Sequence, residues 1–230
     1  MPKIQLLLRG ASLDHASFAR RVDALAPALL AEEPEGLKLT VTEAPPPRLS
    51  VIPFSRTPFA LLSVWTRDEG ALDAWSRAAA TEGIDVTAYR VEESTPVAYA
   101  RTWPDGERTP AVVLLTVFRR KRGLDDEELI RRWHGGHTPL SLEIHPLFGY
   151  VRNVVTRSSG APLDAIVEEH FRTREDLLHP HKMFGGPLRM LPNMVRVAKD
   201  IAGFIDRASL ETFLAAERWI RTPGGTSTSS

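Results

Sequence analysis

Cysteine is absent from this 230-residue chain, and with it go disulfides, a thiolate nucleophile and any cysteine-held zinc or iron–sulfur centre. Neither sign of charge dominates: 29 basic residues stand against 29 acidic ones, for a formal net charge of zero. That removes the electrostatic footprint of a nucleic-acid binder and leaves no basic face for an anionic membrane. No window approaches the roughly 18 apolar residues of a membrane span, and the N-terminal apolar run is too short for a secretory signal. A soluble, cytoplasmic protein with no nucleic-acid and no membrane partner is therefore expected. The paired glycines at 135–136 and 185–186 belong to no phosphate-cradling pattern, so nucleotide cofactors are not expected either.

Histidine, by contrast, is concentrated. Six of the seven, His134, His137, His145, His170, His179 and His181, fall in the second half, and only His15 lies outside. Imidazole titrates nearest neutrality, so this cluster is the first place to look for proton transfer. The segment Trp133-His134-Gly135-Gly136-His137-Thr138-Pro139 sets an imidazole four residues after a tryptophan, where glycines and a proline predict that a helix ends.

Hydrophobic periodicity gives each half the same rhythm. Residues 3–9 predict a strand, and Phe18, Val22, Leu25 and Leu29 recur at helical spacing behind Asp14, with Pro27 set to end or kink the helix. Strands over 37–43 and 59–66, a helix marked by Leu72, Trp75 and Ala79, and a strand over 86–91 complete β-α-β-β-α-β. The second half repeats it: strands at 112–118, 149–156 and 165–171, a helix capped by Asp125 or Asp126, a helical region holding Met190, Met194, Val197, Ile201 and Ile205, and a closing segment over 210–220. The fold class is thus α+β, two tandem ferredoxin-like units. Expected boundaries are a first unit over 1–101, a linker over 102–110, a second unit over 111–221 and a disordered Gly/Ser-rich tail over 222–230. In the strand at 112–118 both faces are apolar, so something must cover the face that helices leave bare. The sheet of the other half, closing a barrel, is the economical cover. Pairing within one chain and pairing in a homodimer both remain open at this point.

Several separated motifs stand in a definite order in the second half: Val113 to Gly123, Glu127-Glu-Leu-Ile-Arg-Arg-Trp133-x3-His137-x-Pro139-Leu140, Tyr150-Val-Arg-Asn153-Val, Glu168-x-His170-Phe171, and Asp200-x3-Phe204-x-Asp206. This order resembles the EthD family of the dimeric α+β barrel superfamily, over roughly residues 111–221. The first half shares the topology but lacks the His-x-Pro, as a diverged copy would. The resemblance implies a small-molecule pocket between sheet and helices. It also implies a role in catabolism or secondary metabolism, among relatives that include cofactor-free monooxygenases, cyclases and haem-binding branches. The chain departs from the pattern at His170, which stands where an aromatic often precedes the phenylalanine, and at an inserted His179-Pro-His181 segment.

The expected function is a cofactor-independent enzyme acting on a small apolar aromatic or polyketide-like substrate by oxygenation, cyclisation, dehydration or isomerisation. His137 is expected to be the general acid/base, aimed at the sheet by the phase of Ile130 and Trp133 and favoured in its charged form by a helix C-terminus. A buried histidine capping carbonyls is the simpler reading of phase alone, and the resemblance turns the reading toward catalysis. Tyr150 is expected to stabilise an oxyanion, with Trp133, Phe118 and Phe148 as walls. Tyr150 and Asn153, three apart on a strand, should face opposite sides. Glu168 and His170, two apart, are expected to form a carboxylate–imidazole pair at the substrate. Asp200 and Asp206 read as structural caps. His134-x2-His137 and His179-x-His181 have ligand-like spacings, but the glycine pair argues against a rigid site, and neither a metal nor another cofactor is expected. The alternatives are a non-catalytic hydrophobic-ligand-binding or stress-associated barrel, and a haem-binding relative using one axial histidine.

Overall fold

The computed structural model describes residues 2–67 and 71–224, with the backbone alone at 71–74. In the first half, β1 (Lys3–Arg9) leads to α1 (His15–Ala24), whose Asp14 cap accepts from the Ser17 amide at 2.9 Å. Pro27 does not stop the chain from being helical. It falls in the first turn of a new helix, α2 (Ala26–Ala31), where a missing N–H costs nothing. Strands β2 (Gly36–Val41) and β3 (Phe59–Trp65), helix α3 (Ala71–Thr81) and strand β4 (Asp85–Val97) follow.

The second half runs β5 (Val112–Phe118), α4 (Asp126–Arg132), a π-helical turn (Trp133–His137), α5 (Thr138–Ile144), β6 (Leu147–Ser158) and β7 (Ala165–Phe171). Short helices α6 (Arg174–Leu178) and α7 (Pro180–Met183), the longer α8 (Met190–Ile201) and strand β8 (Glu211–Arg221) complete it. Helix α8 stops at Ile201, and Ile205 instead bridges Arg120 across a turn in which the Gly203 amide bonds the Asp200 carbonyl at 2.8 Å. The expected tail, 222–230, lies outside the described residues from 225 onward; Thr222 itself is held by Asp105 at 2.6 Å.

All eight strands close one antiparallel barrel in the order β1-β3-β2-β8-β5-β7-β6-β4. Two ferredoxin-like units therefore complete each other within the chain, through the seams β2–β8 and β4–β6. The second seam explains why β4 outruns its expected end at 91: it pairs with β6 as far as Val97–Tyr150. Alternate residues divide each strand between two environments. Outward residues such as Ile4, Leu6 and Leu8 meet Phe18, Val22 and Trp75 beneath the helices. Inward residues such as Leu7, Phe59, Leu61, Leu115 and Phe213 fill one end of the barrel. The other end is polar: Lys38 is 3% exposed and Glu168, His170 and Glu217 are 0% exposed. Among the described residues, no helix is long and apolar enough to cross a membrane.

Candidate functional site

The helix predicted to end at His137 does not end there. The Thr138 amide reaches back five residues to the Trp133 carbonyl, and α5 continues from that widened turn. Pro139 supplies the reason. It has no N–H to offer, and its ring would press on the carbonyl one α-turn back, whereas a wider turn relieves the clash and Gly135-Gly136 gives the backbone freedom to make it. His137 is thus mid-helix, and the expected helix C-terminus that would favour its charged form is absent.

The π-turn sets Trp133 and His137 against a cavity of about 260 Å³ between the second half's strands of the barrel and α8. Phe118 of β5 packs edge-on to Trp133 at 5.3 Å and to Phe204 at 5.8 Å, and Val197 and Ile201 of α8 close one side. The first half contributes too. Its β2–β3 connection straps across β8, with the Ser55 amide on the Thr212 carbonyl at 2.8 Å and Thr212 Oγ1 on the Pro53 carbonyl at 3.0 Å. Val51, Ile52 and Pro53 are thereby laid over the cavity.

Polar groups are few in this wall. His137 Nδ1 lies 2.7 Å from Asp200 Oδ2, so the carboxylate accepts from Nδ1–H, and Nε2 accepts from Ser141 Oγ at 3.1 Å. Ser141, His137 and Asp200 have the connectivity of a nucleophile triad, but Ser141 is fully buried and does not line the cavity, so it holds the ring and attacks nothing. Asp200, read from sequence as a cap, is the partner that orients the imidazole. Asp206 does act structurally, pairing with Arg119 at 3.1 Å and receiving the Ala208 amide.

Glu169 is the residue that sequence reading passed over. It is 9% exposed, lies opposite Tyr150 in the β6–β7 ladder, and lines the same cavity. Burial among apolar groups pushes its carboxyl up to about 7, with nearby His137 and His170 pulling the other way. Among the described residues no side chain hydrogen-bonds to it, which leaves its oxygens to the cavity. Burial and the neighbouring Glu169 push the Tyr150 hydroxyl up to about 12, so it stays protonated as a donor. His145 also lines the cavity; burial brings it down to about 4, and its Nδ1 donates to the Met183 carbonyl at 2.9 Å.

Of the eight expected site residues, the cavity gathers His137, Tyr150, Trp133 and Phe118, and excludes four. Phe148 stacks on Tyr99 at 5.1 Å beneath Arg172, because a register shift between Leu147 and Gly149 turns it away. Asn153, Glu168 and His170 point into the barrel, as strand alternation requires. Asn153 accepts from Lys3 at 2.8 Å and donates to the Ile166 carbonyl. Glu168 and His170 do not pair with each other. Glu168 takes Lys38 at 2.7 Å, and His170 Nε2 meets Glu217 at 2.7 Å across the lumen.

Among the described residues, no three metal-ligating side chains converge, and His179 and His181 are an exposed pair 5.7 Å apart. His145, neutral and with Nδ1 engaged, has the donor set of a haem axial ligand. The cavity does not fit the group: about 260 Å³ is below even the range of pockets that take drug-sized ligands, roughly 300–1,000 Å³.

Neither a protein-family model nor a curated protein matches this sequence. Solved structures do resemble it. An anthrone oxidase-like protein aligns over 98% of this chain and 97% of its own, at 11% identity and a TM-score of 0.61. A monooxygenase-like protein from Fusobacterium nucleatum subsp. nucleatum aligns over 96% and 93%, at 9% identity and a TM-score of 0.51. The fold is an α+β barrel, shared with these structures. A chlorite dismutase from Candidatus Nitrospira defluvii is more distant, at 10% identity and a TM-score of 0.46. Within this fold, the cavity under α8 lies between the barrel wall and the helices outside it, and the barrel lumen is a separate compartment.

Proposed function

We propose that the cavity under α8 is the active site of an EthD-like, cofactor-independent acid/base enzyme acting on a small, uncharged aromatic ketone or phenol. The observation that carries this is Glu169: a carboxyl held near neutrality, without a hydrogen-bonding partner among the described residues, beside the His137–Asp200 pair in a mostly apolar cavity. A group whose pKa sits at the working pH is the most effective proton shuttle. Glu169 takes a proton from an activated C–H or O–H of the substrate, Tyr150 donates to the oxyanion that develops, and His137, fixed by Asp200, receives the proton on Nε2 as that nitrogen gives up the Ser141 hydroxyl. Trp133, Phe118 and Phe204 hold the ring system. The volume suits two or three fused rings and little more.

Anthrone is a suitable probe, since one neighbour is described as anthrone oxidase-like. Removal of a proton from its methylene carbon gives a delocalised enolate. Molecular oxygen then adds at that carbon, and loss of water from the hydroperoxide leaves anthraquinone, one oxygen consumed and one water released per turnover. Oxygen uptake and product are measured across a panel of polycyclic ketones and phenols. Turnover above the buffer rate that falls by about 100-fold in both His137→Ala and Glu169→Gln supports the reading. Full turnover in both variants contradicts it. Tight binding with no product by mass spectrometry assigns the cavity to ligand carriage instead, and a Soret band on haem titration would assign it to haem.

A further inference from the structure

We infer that the polar mouth of the barrel is a second binding site, for a small uncharged planar aromatic molecule that carries a carbonyl oxygen. This compartment holds about 420 Å³ and shares no lining residue with the cavity under α8. Three of the chain's five tryptophans stand around it. They are arranged as two stacked pairs, Trp65 on Trp219 at 5.1 Å and 21°, and Trp103 on Tyr99 at 5.8 Å and 14°. Flat aromatic walls of this kind recognise flat ligands. Trp103 and Tyr99 come from the chain that joins the two halves, and Trp65 and Trp219 from the ends of β3 and β8, so the site exists only because the two halves close on each other.

The floor of the site specifies the polar part of the ligand. Lys38, 3% exposed, donates to Glu168 at 2.7 Å and forms an ion pair with Glu217 at 3.0 Å, contacts that occupy at most two of its three N–H groups. Among the described residues no oxygen takes the third, which has only the Trp219 ring, 5.5 Å away. A buried ammonium hydrogen left without an acceptor is costly, and an acceptor on a ligand would satisfy it. Trp103 Nε1, also buried without a partner, is a second open donor in the wall.

Charge decides between acceptors. The buried cluster sets Lys3 and Lys38 against Glu168 and Glu217, two ammonium groups for two carboxylates, with Glu93 pairing Lys3 from the exposed rim. Two further titratable groups face it, and both already meet Glu217: His170 through Nε2 at 2.7 Å, and Tyr99, whose hydroxyl donates to the other carboxylate oxygen. A ligand carboxylate would bring an unpaired charge to a buried set that is already balanced. A ligand cation would sit against Lys38 and against Arg101, whose guanidinium is tied down by Asp105, Thr222 and the Trp103 carbonyl. A neutral carbonyl oxygen escapes both penalties.

Coumarin is the probe: flat, uncharged, and equipped with one ring carbonyl. Its binding is followed by calorimetry on the full chain, beside 2H-chromene, which lacks the carbonyl, and coumarin-3-carboxylate, which adds a charge. Ala98→Trp fills the mouth from an exposed position and Trp103→Ala removes a wall. Ala198→Trp fills the cavity under α8 instead, and melting curves check that each variant folds. The expected result is a saturable coumarin site that Ala98→Trp and Trp103→Ala weaken at least tenfold and that persists in Ala198→Trp, where the cavity under α8 is filled. Chromene and the carboxylate should each bind at least tenfold more weakly than coumarin. Absence of saturable binding, equal binding of chromene, or loss of binding in Ala198→Trp with retention in Ala98→Trp overturns the proposal.

Discussion

Asp200 on α8 and His137 on the π-turn, 63 residues apart in sequence, meet at 2.7 Å on the rim of the cavity. The contact fixes which imidazole nitrogen carries the proton, because a carboxylate can only accept. Replacing Asp200 by Asn therefore removes a positioning group and leaves the cavity wall intact. Nitrogen NMR of the imidazole should show His137 predominantly Nδ1-protonated in the parent and mixed in Asp200→Asn, with turnover of any confirmed substrate lowered about 10- to 100-fold. An unchanged tautomer would remove the orienting role.

Glu169 gives stability a definite dependence on pH. Its carboxyl is raised to about 7 in the folded chain against 4.5 in the unfolded one. Between those values the unfolded state has released a proton that the folded state retains, so stability falls as pH rises through that window and levels off above it. The loss attributable to this group is of the order of 3 kcal/mol. Glu169→Gln should consequently melt higher than the parent at pH 8, and match it more closely at pH 5. Parallel melting profiles for the two proteins from pH 5 to 8 would show that Glu169 is ionised at ordinary values.

The barrel's buried ion network predicts a different pattern. Lys38→Met removes the cation that Glu168 and Glu217 share, leaving only Lys3 at 4.0 Å from Glu168 and His170 on Glu217, at a cost of about 3–5 kcal/mol. Adding Glu168→Gln removes one of the stranded charges and should recover a substantial part. Denaturant unfolding of the single and double variants tests the coupling, and purely additive losses would argue against it.

Trp133 is 1% exposed and fills the space between Phe118 and the π-turn. Truncation to alanine should cost about 3–5 kcal/mol in chemical unfolding and enlarge the cavity. Thr212→Val should cost only about 1 kcal/mol, by releasing the strap carbonyl of Pro53, and should quicken ligand release more than it lowers stability. Equal effects of the two substitutions would mean that the strap carries core packing, not merely cover.

Much of the architecture was legible from periodicity. Strand alternation and the two apolar faces of 112–118 pointed to a barrel, and the Asp14 and Asp125 caps and the Tyr150–Asn153 parity all follow local rules. The site was legible where it depends on local phase, as for Trp133 and His137, and illegible where it depends on distant pairing. Nothing local marks Asp200 as the partner of His137, or Glu217 as the partner of His170. Glu169 could have been found: it shares strand parity with Val167 and Phe171, so alternation alone sets it on the helix-facing side while Glu168 and His170 face the lumen. The π-turn was hidden because Gly-Gly followed by Pro three residues later normally signals a helix end, and here the helix widens instead of stopping.

Solvent deuterium uptake at the methylene carbon of anthrone, followed by NMR without oxygen, tests proton transfer in the cavity apart from any later step. The parent protein should accelerate exchange at pH 7 well above the buffer rate, and Glu169→Gln should return it to within about tenfold of buffer while still binding the ketone. Exchange at the buffer rate with the cavity occupied by anthrone, or full acceleration retained in Glu169→Gln, would contradict the assignment of Glu169 as the group that moves the proton.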